Sequence, residues 1–297
     1  MIVPPKPKIL PDRRTLAHQA MLASIRARQA AGFDLHSPIC IYGFCEAHGV
    51  TVRFNDIASM EGMYERGSPS RIHLSALRPL PRRAYNCGHE LGHHIFGHGS
   101  TIDELREDVA GGAHSSPNEI LADAFAAFTL MPTLGLRRGF AARGWAPASA
   151  TPRQVFAVAC EFGVGYATLI THLTYALGEM PRAHATRLLR ATPRLLREEI
   201  LGAVTPSPLV VADHHWEAPT LDAEVGTLLL LPPGAQIAGA VAATEGSTAA
   251  GSLFRAVSPG VARATVPGTP WATFVRVARP HYVGLAKYRH LEDQDDD

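Results

Sequence analysis

Two histidines four residues apart, His89 and His93, with Glu90 directly after the first, constrain this chain more than any other feature. The stretch opens at Pro81, which suits the first turn of a helix, and the pattern predicts a helix from Arg82 to about His98. At 3.6 residues per turn, four residues advance by about 400°, so both imidazoles leave one face and one ion can take a nitrogen from each. Glu90 projects from nearly the same side, placed to accept a proton from water at such an ion. Two histidines do not close a metal site, and the helix itself offers no third ligand. His94 stands about 140° from the ligand face and His98 about 180°. Phe96 and Gly99 occupy the positions where an extended histidine motif needs a glycine and a last ligand.

The missing ligand must therefore come from another helix packed against this one. Ser116-Pro117 is a helix start, and the following Asn118-Glu119-Ile120-Leu121-Ala122-Asp123 sets two carboxylates four apart on one helical face. In this arrangement Glu119 is the third protein ligand. Asp123, one turn on, accepts the outer ring N–H of a ligand histidine and fixes its tautomer. Two histidines and one glutamate with an open fourth position form the pattern of zinc hydrolases, although ligand type alone leaves manganese, cobalt or iron open. The donor for an oxyanion is left open among Tyr64, His73, Tyr85 and His114. The strand around Arg71 to Leu74 is the expected partner for an extended substrate backbone.

The rest of the chain reads as a framework for these two helices. Its 297 residues suit about two domains, and 28 basic against 27 acidic side chains leave no bulk field for nucleic acid or an anionic membrane. No continuous apolar run reaches the roughly 18 residues of a membrane span. The four cysteines form no CxxC pair, and the Pro-rich, charged N-terminus lacks the apolar core of a signal peptide. A cytoplasmic protein is the expectation. Asp12 caps a helix running to about Ala31, and Ser37-Pro38 starts a second that ends at Gly49. Alternation at Val50, Val52 and Phe54, then Gly62 to Tyr64 and Arg71 to Leu74, predicts three short strands arranged as a meander. Several helices follow Met131, and from Thr205 the composition turns to Pro, Gly, Val and Leu with strand-like alternation. The expected division is 1–135 for the metal-site domain, 136–204 for a helical extension, 205–291 for a β-rich domain and 292–297 for an acidic tail.

The paired blocks His89 to His98 and Glu119 to Ala126, followed by Leu130-Met131-Pro132, resemble the ImmA/IrrE family of metallopeptidases. The resemblance runs from about Ser37 to Pro132, with a weaker helical continuation to Gly178. It implies an α+β, thermolysin-like zinc peptidase domain, with zinc at the positions of His89, His93 and Glu119 and Glu90 as general base. It also implies a protein substrate, a helix-turn-helix transcriptional repressor whose cleavage relieves repression of a stress or mobile-element regulon. Thr129 departs from the aliphatic residue usual in the family before Leu-Met-Pro.

The helices from Pro152 to Leu177 resemble the helix-turn-helix segment that follows the family's peptidase unit. Tyr166 to Leu177 contains no Arg or Lys for phosphates, so packing is favoured over DNA binding. The β-rich part stands where the family carries a variable sensor or regulatory domain. Its His214-His215 reads as a surface pair, and Arg276, Arg279, Lys287 and Arg289 as a solvated face. Two rivals are set against the peptidase: a DNA-binding regulator with a structural metal, and a metallopeptidase-like fold that holds a repressor or antitoxin without cutting it.

Overall fold

The computed structural model describes residues 12–104 and 116–291. Asp12 caps α1 (Arg13–Ala30), its carboxylate accepting from the Thr15 amide at 2.7 Å. The next helix, α2 (Ile41–Ala47), begins at Cys40 rather than at Ser37 as the sequence suggested. The reason lies in Arg28, a fully buried side chain whose guanidinium takes the carbonyls of Asp34, Ser37 and Thr129. Ser37's carbonyl is thus spent on a long-range bond instead of a helical turn. The same bond uses only the backbone of Thr129, so that residue's side-chain identity does not enter it.

Three strands follow, β1 (Val50–Asn55), β2 (Met60–Glu65) and β3 (Ser70–Ser75), with Val50, Val52, Phe54, Ile72 and Leu74 buried. They are not a meander: β3 lies between β1 and β2, parallel to the first and antiparallel to the second. Alternation identifies the buried face of a strand, and it carries no information about the neighbour. The helix α3 (Leu80–Ile95) crosses the sheet, β4 (Thr101–Glu104) joins the far side of β2, and α4 (Pro117–Leu130) packs on both α3 and α1.

The helical stretch contains α5 (Thr133–Ala142), α6 (Pro152–Glu161), α7 (Tyr166–Thr171) with a π-helical turn His172–Ala176, α8 (Arg182–Leu188) and α9 (Pro193–Leu201). Thr151 and Gln154 form a reciprocal capping box on α6. The axes of α6 and α7 meet at 102° across a turn in which Gly163 takes φ +63°, and Leu169, Ile170 and Leu173 are wholly buried. By length and composition Pro117–Ala142 is apolar enough to cross a membrane, at a mean hydropathy of 1.3, but 56% of that window is buried within the fold. Its apolar character is accounted for by packing.

The strands β5 (Leu209–Val211), β6 (Thr220–Glu224), β7 (Leu228–Leu231), β8 (Gln236–Ile237), β9 (Ala242–Thr248), β10 (Gly251–Ala256), β11 (Gly260–Thr265) and β12 (Ala272–Ala278) make two four-stranded sheets, in the orders β5-β7-β10-β9 and β6-β12-β11-β8. Trp216, Phe254, Val275 and Val277 form a core of their own with Leu229 and Leu231, while Leu228 and Leu230 of the same strand enter the core of the preceding helices. Every residue of β7 is buried because each face of the strand meets a different core. The chain then returns: β13 (Gly284–Leu285) pairs antiparallel with β1 and completes the sheet β13-β1-β3-β2-β4.

Buried ion pairs cross the same seam. Arg83 of α3 meets Glu224 of β6, and Arg143 bridges Glu161 at 2.8 Å and Asp213 at 2.7 Å. Arg276 and Arg289, expected on a solvated face, converge on Asp222 instead, with Arg276 forming two 2.7 Å bonds and Arg289 at 3.6 Å. Their charge is spent where β12 and the returning chain end meet. His214 and His215 do form a ring pair, 4.0 Å apart, with His214 exposed.

One buried group gives the fold a pH signature. His172 is 4% exposed, bonds the Met131 carbonyl at 3.1 Å, and is held down to a pKa of about 4 by burial, against which that bond works. Unfolded histidine titrates near 6.5, so the unfolded chain binds the extra proton first as the solution is acidified. Stability from this group is intact above about pH 6.5 and is lost as pH falls towards 4, by about 3 kcal/mol. Urea unfolding across that window should show the loss, and His172→Asn, which keeps a donor for Met131, should reduce it, leaving the share of His290, which burial likewise holds down to about 4.

Candidate metal centre

The centre begins with a close helix crossing. A Cβ placed on Gly92 of α3 would lie 2.8 Å from the Cα of Ala122 on α4, and one on Gly88 would lie 3.2 Å from the Cβ of Ala126. Four small residues, spaced four apart on each helix, let the two backbones come nearly into contact. Glu119, in the first turn of α4 after the Ser116 cap, is thereby brought over the histidine face of α3.

The three side chains converge. The Nε2 atoms of His89 and His93 are 3.0 Å apart, Glu119 Oε2 lies 3.2 Å from the first, and Glu119 Oε1 lies 3.7 Å from the second. One ligand atom from each falls within 4.8 Å of the others, and this is the only such group of His, Cys, Asp or Glu among the described residues. His89 and His93 are buried while Glu119 is half-exposed, so one side of the set faces outward.

Partners behind the rings set their orientation. Asp123 Oδ1 stands 2.9 Å from His89 Nδ1, in the position read from the sequence. His98 Nδ1 stands 2.9 Å from His93 Nδ1. His98 is not one of the three convergent donors, as the angular count predicts, but it is not on the helix either. In fact α3 stops at Ile95, Gly97 takes φ +68°, and the chain folds back to carry His98 behind His93. With both Nδ1 atoms engaged, each histidine presents Nε2 to the shared point. The set fits a divalent ion: two imidazole nitrogens and one carboxylate, oriented from behind, with no thiolate.

Glu90 is fully buried and lies outside the convergent group. Thr101 Oγ1 of β4 donates to its Oε2 at 2.9 Å, and a Cβ on Gly62 of β2 would sit 2.6 Å from its Oε1. The carboxylate is thus fitted into space that only a glycine leaves. Gly62, Thr101 and His98 were not recognised from sequence. The small-residue spacing at Gly88, Gly92, Ala122 and Ala126 was the available signal for the crossing; none marked Thr101.

The oxyanion candidates fall in several places. The Tyr64 hydroxyl lies 3.0 Å from His94 Nδ1, His73 Nδ1 lies 3.1 Å from the Asn55 amide nitrogen, and the Tyr85 hydroxyl donates to the Asp123 carbonyl at 3.2 Å. Burial, with the nearby Asp123 carboxylate, pushes the Tyr85 phenol far up. His114 lies outside the described residues. The strand Arg71 to Leu74 is internal, paired through β3 to both β1 and β2, so its backbone is already committed. The end of the sheet nearest Glu90 is β4.

Fold and donor set together define an α+β domain built around a candidate divalent-metal centre. Residues 45–174, under half of the chain, match the peptidase family described as the IrrE N-terminal-like domain. A solved structure described as a Mycobacterium tuberculosis transcriptional regulator is 18% identical, with 58% of this chain and 51% of that chain covered at a TM-score of 0.37. The match thus spans about half of that protein's length. No curated protein matches the chain.

Gly92→Ala tests the crossing. The added methyl meets backbone of α4 rather than a movable side-chain end, so overpacking should cost about 1–3 kcal/mol and draw Glu119 away from the histidines. Thermal unfolding and metal content should both fall. An unchanged midpoint with full metal content would contradict the contact.

Proposed function

We propose that this protein is a zinc-dependent endopeptidase that cuts a helix-turn-helix transcriptional repressor and so relieves repression of a stress or mobile-element regulon. The observation that carries the reading is the position of Glu90, buried beside the His89, His93 and Glu119 donors and not among them. A structural site would use a fourth protein ligand, whereas a base next to an open set suits hydrolysis. The match of residues 45–174 to a peptidase family supports the same reaction class.

In this mechanism His89, His93 and Glu119 hold the ion, and Asp123 and His98 keep the two imidazoles in the ligating orientation. Bound zinc supplies a Lewis acid that polarises the scissile carbonyl and acidifies water. Glu90 takes the proton from the attacking water and returns it to the leaving amine, while Thr101 holds the carboxylate by its Oε2. The substrate lies extended along β4, whose pairing among the described residues is with β2 alone. The proposal also takes residues 205–291 as a regulatory domain on the peptidase unit and the cytoplasm as the site of action.

Glu90→Gln is the decisive variant. It should keep zinc and the wild-type unfolding midpoint and lose cleavage by about 10² to 10⁴-fold, since a neutral amide cannot accept the proton. His89→Ala should lose metal and cleavage together. Each variant is co-expressed with a helix-turn-helix repressor encoded beside this protein, and the repressor's length is followed by immunoblot. Full-length repressor with equal derepression by wild type and Glu90→Gln would replace the peptidase with a binding protein that acts without cutting.

A further inference from the structure

A charge asymmetry outside the metal centre points to a second binding surface, independent of the peptidase reading. Residues 180–197 contain Arg182, Arg187, Arg190, Arg194 and Arg197, no lysine and no acid, in a chain whose overall net charge is +1. The first four are exposed along α8, the α8–α9 turn and the start of α9. Arg194 is offset by Glu198 at 2.9 Å, whereas no carboxylate among the described residues pairs with Arg182, Arg187 or Arg190. Arg182 instead lies over the ring of Tyr175, which is 66% exposed, at 5.4 Å from its centroid.

We propose that this α8–α9 surface docks the phosphate backbone of duplex DNA through Arg182, Arg187, Arg190 and Arg194. Arginine has a planar fork that pairs with phosphate oxygens two at a time, which suits it to such contacts. The arginines follow directly after α6 and α7, whose 102° crossing and glycine-containing turn have helix-turn-helix geometry. Within that pair α7 has no cationic residue, and its Leu169, Ile170 and Leu173 face the core. Base reading by α7 is therefore not expected, and the contact is with the backbone and independent of sequence. An anionic membrane fits less well. Leu189 and Leu195 are exposed beside the arginines, but they are single side chains, at the end of α8 and on α9, and Leu188 and Leu196 are buried, so no continuous outward apolar face forms.

The test is fluorescence anisotropy of the full chain with two labelled duplexes of unrelated sequence, over a salt series. Binding should be equal for both duplexes. Log affinity should fall against log salt with a slope of about −3 to −4 for four phosphate contacts. The double variant Arg187→Ala/Arg190→Ala should reduce that slope by about 2 without moving the unfolding midpoint. The proposal is overturned by no binding at low salt, or by a slope that the double variant leaves unchanged. It is equally overturned if polyglutamate or anionic phospholipid vesicles displace the protein from the duplexes at concentrations as low as competing DNA, since the surface would then fit an acidic protein or a membrane.

Discussion

The near-contact of α3 and α4 is the constraint on which the rest of the candidate centre depends. Gly88 and Gly92 against Ala122 and Ala126 remove the side-chain layer that normally separates packed helices. Helix axes usually lie about 8–10 Å apart, and only small residues permit the short end of that range. A glutamate has a short reach, so Glu119 meets two imidazoles of another helix only if the backbones come this close. The apolar weight of the crossing is carried by Leu91, Phe125 and Leu130, all essentially buried, so the geometry of the centre and the stability of the domain rest on the same contact.

Around that crossing, orientation comes from groups distant in sequence. Asp123 and His98 engage the outer nitrogens of the two histidines, one from α4 and one from the loop after α3. Glu90 is positioned from the sheet, by Thr101 on β4 and by the missing side chain at Gly62 on β2. Proposed ligands and proposed base are thus held by different parts of the fold.

The C-terminal residues are tied into this framework. β13 adds to the same sheet through β1, and Arg83, six residues before His89 on α3, is buried against Glu224. Removing one partner of such a pair costs about 3–5 kcal/mol because it strands a buried charge. The β6–β12 sheet is thus joined directly to the histidine helix by the Glu224–Arg83 pair.

The sequence by itself determined the local chemistry. Four-residue spacing placed His89 with His93 and Glu119 with Asp123 because helical periodicity is a property of the backbone, and alternation marked Val50, Val52 and Phe54 as an inner face. It did not determine where helices stop or which strands are neighbours. His98 is not among the three convergent donors, as its angle predicts, but its contact with His93 was not legible because α3 ends at Ile95. Ser37 failed as a cap because Arg28, from another helix, took its carbonyl. The strand order placed β3 inside the sheet and β4 at its end, so the strand expected to receive a substrate is the one that cannot. Arg276 and Arg289 looked solvated because Asp222, the residue that buries them, is over 50 positions away. The end of α3 is a local stop at Gly97, whereas the others were decided by tertiary structure for one physical reason: a hydrogen bond or ion pair between distant segments outweighs a local preference worth about 1 kcal/mol or less, and no periodicity in the chain records it.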